Sequence, residues 1–114
     1  MDELQVTARI KIEADKFEKF EAIAKACMKV AREMDSGTLQ YDWFLNEDQT
    51  ECVVRERYRD SEAALEHVTN LGATTRKDLQ EAEMSLEFYG EASAGLIEAA
   101  KGGNVTFYKT YQSI

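Results

Sequence analysis

The stretch from Ser36 to Leu71 constrains the fold of this chain more than any other. Leu39, Tyr41, Trp43 and Leu45 alternate with Gln40, Asp42 and Phe44, the period of a strand with one face turned to a core. The polar turn Asn46-Glu47-Asp48-Gln49 leads to a second run, Glu51 to Arg59, so the pair reads as a hairpin. Asp60 or Ser61 then caps a helix whose apolar positions are Ala64, Leu65, Val68 and Leu71. A hairpin feeding directly into a helix lays that helix over one face of its own sheet. The sole histidine, His67, is thereby placed above the inward positions Tyr41, Trp43, Glu56 and Tyr58.

The flanks extend the pattern. Leu4, Val6, Ala8, Ile10 and Ile12 alternate with Gln5, Thr7, Arg9 and Lys11 as a first strand. Asp15, spaced from Glu18 as in a capping box, is expected to start a helix along Phe17, Phe20, Ala24, Cys27, Ala31 and Met34, ended by Ser36-Gly37. Beyond Gly72 the helix is expected to continue from Thr75 to Glu83. A fourth strand then runs from Met84 to Tyr89, a short helix from Ser93 to Lys101, and a fifth strand from Val105 to Tyr111. The order β-α-β-β-α-β with an added helix and strand predicts a ferredoxin-like split βαβ, an α+β fold with helices on one face of an antiparallel sheet. At 114 residues the chain suits one domain, 1–114.

A net charge of -8 and the lack of any Lys/Arg cluster oppose docking on nucleic acid or anionic lipid. No apolar run approaches a membrane span, and Met1-Asp-Glu-Leu-Gln5 lacks the features of a secretion signal, so a cytoplasmic location is expected. Cys27 and Cys52 are too few for a disulfide framework or zinc signature and read as small buried hydrophobes. By strand parity the sheet face opposite the helices gathers Phe44, Val53, Tyr89 and Tyr108 among Thr7, Arg9, Asp42, Arg55, Arg57 and Glu87. That mixture predicts a homodimer paired through its sheet faces. Sequence searching finds no phosphate loop, metal-ligand spacing or nucleophile elbow.

The run Gly37-Thr-Leu-Gln-Tyr41, the strand end Glu56-Arg-Tyr58-Arg-Asp60 and the helix Ala63-Ala-Leu-Glu-His67 resemble the antibiotic biosynthesis monooxygenase family. The resemblance implies a dimeric α+β barrel. Family members with known activity oxidise phenols, anthrones or quinols with molecular oxygen and neither metal nor flavin, so no cofactor is expected. A haem-degrading branch takes an iron-ligating histidine from the second helical region. Thr74-Thr-Arg-Lys-Asp78 contains none, and His67 falls where that branch carries a pocket tryptophan, so haem is not expected.

His67 is then the candidate base, since an imidazole can take a phenolic proton near neutral pH; its structural alternative is a histidine bonded to Glu56 or to a backbone carbonyl. Glu56, the acid among inward-facing Cys52, Val54 and Tyr58, is expected to pair with His67 and fix its tautomer, or to make a buried structural bond. Trp43, Tyr58 and Tyr41 are candidate walls for a small aromatic substrate, or simply core. Asn70 is a candidate to bond a substrate oxygen, with capping at Gly72 the alternative. The expected activity is a cofactor-independent monooxygenase acting on a planar phenol, anthrone or quinol; the alternative is a non-catalytic dimeric module that binds an aromatic metabolite.

Overall fold

The two periodicities become eight elements in the expected order. The computed structural model describes residues 2–114. Strand β1 is Leu4–Lys11, helix α1 Phe17–Glu33, β2 Thr38–Leu45, β3 Glu51–Tyr58, α2 Ser61–Glu81, β4 Ser85–Tyr89, α3 Ala94–Ala99 and β5 Val105–Tyr108. They form a five-stranded sheet of order β2-β3-β1-β4-β5. This is the ferredoxin-like α+β plan with one strand added. The added strand is the single departure from antiparallel pairing: β5 runs parallel to β4, because α3 returns the chain to the same end of the sheet before β5 begins.

Register fixes which side chains share the helix-covered face. Leu4 stands opposite Tyr58, Val6 opposite Glu56, Ala8 opposite Val54 and Ile10 opposite Cys52. On the other side of β3, Tyr41 neighbours Glu56 and Trp43 neighbours Val54. The buried apolar residues divide into two clusters. One, under α1, includes Ile10, Phe20, Ile23, Cys27 and Cys52; the other, under the start of α2, includes Leu4, Val6, Tyr58, Ala64 and Leu96. Both cysteines are free and buried, as expected. Among the described residues, no helix is long and apolar enough to cross a membrane.

Several local expectations are corrected. Helix α1 starts from Lys16 without a side-chain cap rather than from Asp15. Met34, just past its last turn, is 55% exposed. Leu39 is turned outward, 50% exposed, by a register irregularity between Thr38 and Gln40 that inserts it as an unpaired residue. β5 stops at Tyr108, and Tyr111 is exposed. Asp60 does cap α2, accepting from the Ala63 amide at 2.9 Å. At Gly72 the backbone adopts φ 82°, ψ 163° inside α2, a conformation essentially limited to glycine, so two helical segments meet there at a kink. The second begins at residue 73, two residues earlier than the periodicity suggested.

The start of β2 passes unusually close to α2. A Cβ built on Gly37 would lie 2.5 Å from the Ala63 Cβ, and neither backbone can yield easily. Gly37→Ala is therefore expected to destabilise the fold by about 1–3 kcal/mol through overpacking, read as a lowered urea midpoint; an unchanged midpoint would show that the contact is soft.

Candidate active site

The first segment of α2 holds His67 one turn before Leu71, on the edge that faces the sheet, and leaves it 4% exposed. Its partner comes from the loop between α1 and β2. Asp35 Oδ2 lies 2.6 Å from His67 Nδ1. The same oxygen accepts from Thr38 Oγ1 at 2.8 Å, and Oδ1 accepts from Asn70 Nδ2 at 3.0 Å. The Asp35 side chain is fully buried. Ser36 anchors the loop on the same helix, donating through its amide and hydroxyl to Glu66. A carboxylate only accepts, so Nδ1 carries a proton, and the tautomer this selects for the uncharged ring has its lone pair on Nε2.

Tyr41 and Tyr58 hold the imidazole plane, with ring centroids 4.8 Å and 5.6 Å from it. Nε2 has no protein partner among the described residues. The Trp43 indole Nε1 is the one sealed, unpaired side-chain nitrogen or oxygen among them, so Nε2 is not sealed and keeps access to the space beside it.

Glu56 does not pair with His67, which corrects the sequence-based expectation. Two residues apart on one strand face, Tyr58 lies next to it, and the Tyr58 hydroxyl donates to Glu56 Oε1; the histidine proton is already taken by Asp35. Burial pushes the Glu56 carboxyl from an ordinary 4.5 to about 7, the Tyr58 bond opposes that rise, and the Asp35 charge adds to it. Burial first, and the Glu56 charge second, push the Tyr41 and Tyr58 hydroxyls upward. Burial also raises the Cys27 thiol to about 11. Both tyrosines and Cys27 therefore stay protonated near neutrality, while Glu56 titrates there.

These groups surround a cavity of about 70 Å³ at the seam of the two core clusters. Tyr41, Trp43, Glu56, Tyr58 and His67 share its wall with aliphatic side chains from β1, β3, β4 and both segments of α2. Trp43 stands edge-on to Tyr41 at 5.8 Å and leans on Phe20 at 5.9 Å, which makes it the wall toward α1. Asn70 is not in the lining. One N–H of its amide donates to Asp35 instead, which places Asn70 behind the carboxylate that holds His67. A larger groove of about 440 Å³ shares Ile10 and Leu79 with the cavity but is rimmed by Lys11, Lys16, Asp78 and Glu83. It contains no buried titratable group, so the smaller cavity is the candidate site. Among the described residues no cluster of three His, Cys, Asp or Glu is placed to hold a metal ion.

Sequence reasoning missed Asp35. The residue sits immediately before the Ser36-Gly37 stop, where an acid reads as a solvated helix end; the one signal available was its spacing of three from Thr38, a residue able to bond it.

Residues 4–75 match antibiotic biosynthesis monooxygenases. The chain belongs to that family. No curated protein matches its sequence. Among solved structures it is similar to MupZ from Pseudomonas fluorescens, with TM-score 0.76 and 18% identity over 99% of this chain and 88% of that one. It is also similar to Rv0793 from Mycobacterium tuberculosis, with TM-score 0.69 and 23% identity over 80% and 96%. A conserved protein from Methanosarcina mazei Go1 gives TM-score 0.64 and 15% identity over 78% and 92%. At these identities the structural likeness is one of fold. The antibiotic biosynthesis monooxygenase match runs from β1 to just beyond Gly72, so Asp35, Tyr41, Trp43, Glu56, Tyr58 and His67 all lie inside it.

Proposed function

We propose that the protein is a cofactor-independent monooxygenase that oxidises a small phenol or quinol with molecular oxygen. The observation that carries this reading is the Asp35–His67 pair, 2.6 Å apart, with the other imidazole nitrogen facing an aromatic cavity. His67 is the base and takes the phenolic proton; Asp35 is a positioning residue that holds the ring and its tautomer. The phenolate gives one electron to oxygen, and the phenoxyl radical and superoxide join at ring carbon. The hydroperoxide takes a proton from His67, its O–O bond breaks, and the carbon-bound proton leaves. Phenol plus oxygen then yields quinone plus water, with no external reductant.

Cavity size narrows the substrate class. A void of about 150 Å³ is enough for benzene, while this one measures about 70 Å³. That is about half the benzene-sized void, so even a single ring requires the walls to open, and a fused-ring anthrone requires more, which favours monocyclic phenols and quinols. The experiment is oxygen consumption by purified protein with a panel of monocyclic phenols and quinols, with the quinone product quantified. Equal consumption with and without protein would leave the cavity as a binding site alone.

Members of the family are commonly dimeric, and we include a sheet-face homodimer in the proposal. Phe44 and Tyr108 on the outer face are 54% and 47% exposed, and Tyr89 stacks on Tyr108 at 5.3 Å. Sedimentation is expected to give twice the chain mass at micromolar concentration, with Phe44→Glu shifting it toward one chain; a monomer in the wild type would remove this part of the proposal.

A further inference from the structure

The cavity exposes a second oxygen function that the base does not use. Glu56 stands on β3 between Val6 of β1 and Tyr41 of β2, in the lining with His67. Its Oε1 accepts from the Tyr58 hydroxyl, whereas Oε2 has no protein partner among the described residues. Like the His67 Nε2 it is absent from the sealed, unpaired atoms, so it too has access to open space. A carboxyl with one oxygen engaged as an acceptor and the other free has one place to carry a proton outward.

We infer that Glu56 acts as a neutral carboxylic acid, donating a hydrogen bond from Oε2 to the ring oxyanion of the bound ligand. The inference rests on the proposed phenol site and adds the group that holds the anion His67 creates. A buried donor aimed at developing negative charge is an oxyanion stabiliser, and a charge-assisted bond of this kind is among the strong ones. Once ionised, the same group meets the phenolate as a like charge, so retention of the anion fails as pH rises through about 7. The groups facing Glu56 from the packed elements are Tyr58 on its own strand, Tyr41 on β2, Asp35 before β2, Cys27 on α1 and His67 on α2. The tyrosines and Cys27 remain neutral through this range, and a change in His67 would be shared by any Glu56 variant.

The experiment uses pentafluorophenol, a compact phenol that is ionised throughout pH 6.5 to 9, with binding followed by fluorine NMR. Wild-type affinity is expected to fall about tenfold or more across that interval, while Glu56→Gln, which keeps an N–H donor and cannot ionise, loses much less. A difference infrared spectrum of the wild type at pH 6.5 supplies a check that needs no variant: the protonated-carboxyl stretch is expected to shift on binding. Equal pH dependence in the two proteins, or an unmoved carboxyl band, overturns the role of Glu56 and leaves the phenol site standing. Absence of binding in the wild type overturns the phenol site, and this inference with it.

Discussion

His67→Gln is expected to reduce phenol-dependent oxygen uptake by about 10²-fold or more, the usual contribution of a positioned general base. Gln is the informative substitution because its amide can still donate to Asp35 yet cannot accept a proton. Ala in its place would strand a fully buried carboxylate, a change that typically costs about 3–5 kcal/mol and would confuse lost folding with lost chemistry. Asp35→Asn tests the positioning role separately. Asn in that place can turn its N–H toward the ring and invert the tautomer, so the pH profile of turnover is expected to move as well as its height, which a purely structural role would not produce. Turnover unchanged in His67→Gln would remove the base from the mechanism.

A dependence of stability on pH that travels with one residue is the second large effect. In the unfolded chain the Glu56 carboxyl releases its proton near its ordinary 4.5, while in the native cavity it keeps the proton up to about 7. Between those values only the native state binds the proton, so stability falls as pH rises and levels off above about 7. The displacement corresponds to about 3 kcal/mol. The contribution is fully present below 4.5 and gone once the folded group ionises. Glu56→Gln is expected to flatten this dependence, so that urea unfolding at pH 5 and pH 8 differs by about 2.5 kcal/mol less than in the wild type. The same pH dependence in both proteins would mean that Glu56 is not held neutral by its surroundings.

Such a group persists because the sheet register leaves it no cation. Glu56 faces Val6 and Tyr41, and the charge that acts on it from outside its own strand is the carboxylate of Asp35, which opposes its ionisation. Replacing a buried acid by a neutral group of similar shape commonly stabilises a core; a carboxyl kept at that cost fits a role in binding or chemistry better than one in packing.

Period-two and period-3.6 patterning by itself determined the order of elements, the inward placement of Tyr41, Trp43, Glu56, Tyr58 and His67, and the break in helical pattern at Gly72. Those features follow from where apolar side chains must go and from the backbone freedom of glycine, both local properties. Three things were decided only by the tertiary structure. Asp35 lies 32 residues from His67 in sequence, and only packing of the α1–β2 loop on α2 brings them within bonding distance. Leu39 reads as core in the strand pattern and is expelled by a register irregularity that alternation cannot reveal. The partner of Glu56 was a competition between Tyr58 and His67, settled because Asp35 had already engaged the histidine. Pairing of polar groups across a core depends on distances between distant segments, and no spacing along the chain encodes those.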